Sequence, residues 1–168
     1  MDTDAYSFSI GSIDCWALSD GRFNYPSEAF FANASSDELK SASDQHDVSP
    51  RQVATPYTCL YVETGAEQIL IDTGAGPVGN HASEIFPDVD HTTTSTGHLP
   101  EKLRAIGTAP SAIDTVILTH AHPDHVGGLL DKDGGLVFGN AQYVISEPEW
   151  QFWFAEKAEE QAPLAMVD

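Results

Sequence analysis

The run DTVILT at residues 114–119 lacks polar alternation, and it leads directly into HAHPDHVGG at 120–128. A β-branched apolar run of this kind is expected of a strand buried on both faces of a parallel sheet. Upstream, LPEKLRAIG at 99–107 reads as a helix, with Leu99, Leu103 and Ile106 on one face, Pro100 in the first turn and Gly107 as its stop. Helix followed by buried strand implies a βαβ-like crossover, hence an α/β (α+β) layered domain with a mixed β-sheet and flanking helices.

The rest of the chain fits such a sheet. YSFSI and IDCWAL read as short strands joined at Gly11-Ser12, the second ending in an SDGR turn. YTCLYVETGAEQILIDTG reads as a hairpin that leaves Asp72 at the end of its second strand. Between them, residues 23–56 lose periodicity and read as a long loop, a candidate lid, with a short helix at SSDELKSA capped by Ser35 or Ser36. Phe30 and Phe31 within it are anchors or pocket lining, with anchors preferred. The polar tract HTTTSTGH reads as irregular. After the histidines come a DKDGG loop, a strand around AQYVI and a helix from Ser146, where Ser146 and Glu149 are spaced as a capping box. Trp150, Trp153 and Phe154 recur at helical spacing, a stripe expected in the core. The chain closes on APLAMVD, which carries no stop signal. At 168 residues one domain is expected, and no internal repeat appears.

Chemistry concentrates at 120–125. A strand end delivers His120, and residues two apart in extended chain point the same way, so His120 and His122 can grip one cation. Pro123 biases His122 towards an extended conformation and can open a helix. That reversal is expected to turn Asp124 and His125 away towards a second cation, with Gly127 and Gly128 letting backbone pass close by. Imidazole and carboxylate suit Zn²⁺ first, and also Mn²⁺, Fe²⁺ or Co²⁺. Two such ions ~3.5–4 Å apart can activate water for hydrolysis. The isolated histidines His46, His81, His91 and His98 read as solvated or locally bonded. Cys15 and Cys59 lie in apolar segments and read as buried free thiols.

THAHPDHVGG resembles the metal-binding motif of the metallo-β-lactamase superfamily, and ILIDTGAG resembles its strand-end aspartate motif. ALSDG, the Phe-rich loop, STGHLPEKLRAIG and AQYVISEPEWQFW extend the likeness, from about Phe8 to Phe154, to the branch containing methyl parathion hydrolase and related lactonases. The resemblance implies the N-terminal half of an αββα sandwich with a dinuclear metal site at one edge. It implies His120 and His122 as ligands of the first ion and Asp124 and His125 as ligands of the second, with Asp124 at the catalytic centre and Asp72 steadying the ligand loop. It further implies metal-bound hydroxide as nucleophile and lactones, esters or organophosphate triesters as small-molecule substrates. The family's site also uses a third histidine, a bridging aspartate and a last histidine from its second half, whereas the last histidine here is His125. Residues 1–168 are therefore expected to be a domain that stops before its C-terminal half. Such a chain is a hydrolase completed by a longer product, a complementing partner chain or a second copy in a homo-oligomer. The other reading is a non-catalytic interaction module of the same fold.

Charge narrows the partners. Twenty-six acidic residues stand against seven Lys plus Arg, a formal charge of −19. Such a surface repels phosphate backbones and anionic membranes, so neither nucleic acid nor membrane is an expected partner. No basic leader or long apolar run is present, and the default location is cytoplasmic. Self-repulsion on this scale suits a salt-rich interior, where at ~1 M salt the Debye length is only ~3 Å. Melting followed against KCl is expected to show Tm rising up to molar salt; a flat curve refutes the halophilic reading.

Overall fold

A computed structural model describes residues 5–46, 49 and 51–154. Its centre is one six-stranded mixed sheet in chain order, β1-β2-β3-β4-β5-β6. β1 (Ala5–Ile10) turns at Gly11 into β2 (Ile13–Pro26), and the pair is antiparallel. α1 (Ser36–His46) leads to β3 (Gln52–Glu63), which pairs with β2 and, through a hairpin, with β4 (Gln68–Ile71). Beyond the one-turn α2 (Ala82–Ile85), α3 (Leu99–Ala105) makes the crossover to β5 (Thr115–Leu118), parallel to β4. The single turn α4 (Pro123–Val126) follows, then β6 (Gln142–Ile145), parallel to β5, and α5 (Glu147–Trp153). The mixed sheet with flanking helices is the fold class expected. Residues 155–168, with the APLAMVD segment, lie outside those described. Among the described residues no helix is long and apolar enough to cross a membrane.

α3 packs its Leu99–Leu103 face onto the sheet, as its spacing predicts. Both leucines are buried with Leu18, Cys59, Tyr61, Leu70, Val116 and Leu118, and Ile106 packs at the margin. Each such leucine contributes about 1.5–3 kcal/mol by leaving water. Gly107, at φ 91°, ends the helix in a conformation that only glycine adopts cheaply. Cys15 and Cys59 are buried free thiols, and burial pushes the Cys59 thiol well above its ordinary range, so it stays protonated. In β5, by contrast, Val116 and Leu118 are buried while Thr115 and Ile117 are half-buried. The run is therefore fully covered on only one face, the one that shares its core with α3.

Two expectations about the N-terminal half are corrected. SDGR is no turn: β2 continues through a bulge between Ser19 and Gly21 and runs on to Pro26. Gly21 allows this because backbone of Ser95 lies where its Cβ would be, and Arg22 exchanges two backbone hydrogen bonds with Ser95 (2.8 and 2.9 Å). Nor is 23–56 a continuous loop, since its ends belong to β2 and β3 and its middle is α1. That helix does begin as read, with Ser35 Oγ and N donating to Glu38 Oε2 at 2.6 and 2.9 Å. Phe30 and Phe31 are half-exposed, and Phe30 sets its edge on Tyr25; both also line a cleft of about 1010 Å³ beside α1.

The HTTTSTGH tract is held by side chains instead of a ladder. Asn24 Nδ2 donates to Asp90 O and Thr93 Oγ1, Thr94 Oγ1 accepts from Asn24 N, and Thr96 Oγ1 donates to Gly76 O at 2.6 Å. A buried carboxylate completes this work. Asp20 Oδ2 accepts from Gly76 N (3.0 Å) and Gly97 N (3.1 Å), and Oδ1 accepts from Leu99 N at 3.0 Å. Burial pushes its carboxyl up, against the opposing pull of those N–H groups. Asp20→Asn keeps the volume but aims an NH₂ at N–H donors, or leaves Leu99 N unsatisfied if the amide flips. Its expected cost is about 2–3 kcal/mol, read by urea denaturation with unchanged m.

Candidate metal centre

The parallel order of β4, β5 and β6 brings their C-terminal ends to one rim, where Asp72, His120 and Ser146 follow the strands. Asp72 has φ 60°, the only described non-glycine residue in the left-handed region, and aspartate tolerates that conformation better than most residues. Its N–H donates to Ile117 O at 2.9 Å, which locks it across β5. The carboxylate then accepts from Thr119 N (2.8 Å), from Thr119 Oγ1 (2.8 and 3.0 Å) and from His125 Nδ1 (2.8 Å).

His122 is extended (φ −68°, ψ 149°) and Pro123 opens α4, as Pro123 implies. His125 N and Val126 N both donate to His122 O. His120 Nε2 and His122 Nδ1 stand 3.1 Å apart, the shared direction expected of residues two apart. The reversal does not, however, turn His125 away. Its ring lies against His120, with centroids 3.8 Å apart, because one helical turn carries it back over the end of β5, where Asp72 takes its Nδ1. Asp124 Oδ2 lies 3.6 Å from His125 Nε2. Burial, and then the neighbouring His125 and His122, push the His120 imidazole down, which keeps it neutral. Gly127 and Gly128 behave as read: a Cβ on Gly128 would sit 2.1 Å from Thr73 O, and one on Gly127 2.3 Å from Ala75 O.

The donor set can be tested against a divalent ion. Two ligands of a tetrahedral ion at ~2.0–2.1 Å stand roughly 3.3 Å apart. The His120–His122 and Asp124–His125 separations are near that spacing, and Asp72 directs the free lone pair of His125 to Nε2. Two neighbouring pairs therefore fit a divalent cation in donor type and spacing. Among the described residues no group of three or more His, Cys, Asp or Glu is arranged around one ion.

Other residues lie where reading failed to put them. Ser146 makes no side-chain cap, and Glu149 instead accepts from Ala121 N at 2.9 Å and from Trp153 Nε1 at 2.7 Å. Those two donors hold its carboxyl below the usual carboxylate range. Trp150 and Phe154 are exposed, not core, and stack on each other, while Trp153 is half-buried and meets His122 edge-on at 5.8 Å. No spacing rule signals this, because the partners come from a different loop. The Tyr25 and Tyr57 hydroxyls share a 2.5 Å hydrogen bond, and burial first, with Asp124's charge among the lesser causes, pushes both phenols up. Of the isolated histidines, His81, His91 and His98 bond locally, to Glu84, to Thr94 and Phe86 O, and to Ser95, while His46 is exposed.

A family profile described as Metallo-beta-lactamase superfamily matches residues 53–131. N-acyl homoserine lactonase AiiB of Agrobacterium fabrum (strain C58 / ATCC 33970) is 29% identical over 108 residues, 61% of this chain and 37% of that protein. The solved structure of AidC, a dizinc quorum-quenching lactonase in complex with a product, matches with a TM-score of 0.74 at 29% identity, covering 95% of this chain and 52% of that one. The hydrolase AbOPH, of the beta lactamase superfamily, gives 0.69 at 30% identity, covering 98% and 52%. Over residues 53–131 the chain is similar to the metallo-β-lactamase superfamily, and its fold is similar to that of the solved lactonase and hydrolase. It spans about half the length of these solved relatives.

Asp72→Ala removes the acceptor of Thr119 and His125 and puts alanine in the left-handed region, so a loss of about 2–4 kcal/mol is expected. Asp72→Asn keeps the backbone, and ¹⁵N NMR of His125 should show the ring proton leaving Nδ1; an unchanged tautomer refutes the role given to Asp72.

Proposed function

We propose that this chain carries the first ligands of a dinuclear centre in a metal-dependent hydrolase. His120 and His122 serve one ion, and Asp124 and His125 the second. The observation that carries this reading is the facing of donor atoms within each pair, with the opposite nitrogen of His125 already occupied by Asp72. When bound, two divalent ions, zinc first and Mn, Fe or Co otherwise, supply Lewis acidity and lower the pKa of water.

The chain's own residues do the rest. Asp72 holds the His125 proton at Nδ1, the carboxylate–histidine arrangement that raises ligand basicity. A neutral His120 offers its nitrogen without first losing a proton. Asp124, whose Oδ2 lies 3.6 Å from His125 Nε2, would be the carboxylate at the catalytic centre. No Ser or Cys nucleophile is required. Lactones are the favoured substrates, supported by the likeness to AiiB and AidC, with related esters and organophosphates next, supported by the hydrolase AbOPH.

Each ion so far has two protein ligands, where a stable zinc site has three or four. The remaining ligands come from a longer product, a partner chain or a second copy. The second reading is a non-catalytic module of this fold.

Metal analysis after dialysis, with lactone turnover, separates the two on both the 168-residue chain and its longest natural form. Two ions per polypeptide with turnover support the hydrolase. His120→Ala or His122→Ala should then lower turnover by more than about 100-fold, beyond the usual effect of a supporting residue. Neither uptake nor turnover in either form leaves the non-catalytic module.

A further inference from the structure

Glu149 occupies the third position of α5, where a capping box would fold its carboxylate back on the Ser146 N–H. It reaches instead to the peptide N–H of Ala121 (2.9 Å), the one residue between His120 and His122. The same oxygen, Oε1, accepts from Trp153 Nε1 at 2.7 Å. Trp153 in turn meets the His122 ring edge-on, with centroids 5.8 Å apart and an interplanar angle of 86°. A single carboxylate oxygen thus fixes the peptide that links the two histidines and the indole that borders the second of them.

We propose that Glu149 is a positioning residue for the His120–His122 pair. The orientation of two side chains on either side of one residue depends on the φ and ψ of that residue, and an N–H held from outside restricts both. Ala121 contributes no side chain to do this itself. The anchor is twenty-eight positions away, on an element joined to the motif through β6, so the sheet edge transmits its position to the loop. The proposal rests on the reading of His120 and His122 as ligands, and it adds the residue that presets their spacing.

The geometry predicts which substitutions matter. Glu149→Gln keeps an oxygen able to accept from both donors, whereas Glu149→Ala leaves Ala121 N without its acceptor. Glu147→Ala is the control on the same helix turn, since Glu147 bonds only to Gln151 among the described contacts. Two readouts apply to the 168-residue chain and its longest natural form. Hydrogen exchange at the Ala121 amide reports the bond without any metal. Co²⁺ affinity, by competition with a chromophoric chelator, reports its effect on the pair.

Glu149→Ala is expected to speed Ala121 exchange and weaken Co²⁺ binding about 10–100-fold, with Glu149→Gln within a few-fold of wild type and Glu147→Ala unchanged. Exchange and affinity both unaffected by Glu149→Ala overturn the assignment. So does an equal loss in the Gln and Ala variants that tracks their Tm, which marks a purely structural contact. A wild type that takes up no Co²⁺ in either form, or a His120→Ala/His122→Ala double variant that binds as well as wild type, sinks the ligand reading and this proposal with it. Normal wild-type uptake with an indifferent Glu149→Ala sinks the positioning role alone.

Discussion

The buried Asp20 carboxylate is the constraint on which the arrangement of this chain depends. Three backbone N–H groups, from Gly76, Gly97 and Leu99, end on it where it is fully buried. Each would otherwise be an unpaired buried donor, and such groups are rare because each is so unfavourable. By satisfying them, Asp20 joins the bulge of β2 to the segment after β4 and to the start of α3. The segment 73–76 then lies against Gly127 and Gly128, with Thr73 N donating to His125 O at 2.8 Å. The histidine loop is thus supported from below by backbone that a carboxylate on a different strand has put in place.

Asp72 and Glu149 repeat the device closer to the histidine cluster. Asp72 ties the ends of β4 and β5 together and sets the proton of His125, while Glu149 reaches the loop from the far side. Acidic residues outnumber Lys plus Arg by 26 to 7 in this chain, and most are solvated. These three, like Asp114, which accepts from Gln68 N, each accept from an N–H group of a segment remote in sequence. Hydrogen bonds to an ionised acceptor are shorter and roughly twice as strong as neutral ones. That suits a loop of a few residues with almost no ladder of its own.

Much of this was legible in the residues because its causes are local. The β3–β4 hairpin follows from its glycine turn, and α3 from the spacing of Leu99, Leu103 and Ile106. The start of α4 follows from Pro123, and the closeness of His120 and His122 from the two-residue period of extended chain. What escaped reading depends on partners brought in by the fold. SDGR has turn composition, yet Ser95 gives β2 a reason to continue. HTTTSTGH has no periodicity, yet its hydroxyls replace the missing ladder. Ser146 and Glu149 carry the spacing of a capping box, but Ala121 and Trp153 together offer Glu149 two donors where the helix end offers one. His125 was expected to diverge from His120, and it is Asp72, fifty-three positions earlier, that pulls it back.

The common direction of β4, β5 and β6 divides the molecule into two ends with unequal tolerance. At the exit rim, one inserted residue advances the chain by ~3.3 Å, more than any hydrogen bond in the centre can absorb. At the opposite end lie the exposed Gly65–Ala66 reversal and the Gly11 turn, where open space surrounds both glycines. Length and composition can drift there with little effect on the rim. A scaffold polarised in this way lets one margin be retuned for a new reactant while the other absorbs neutral change.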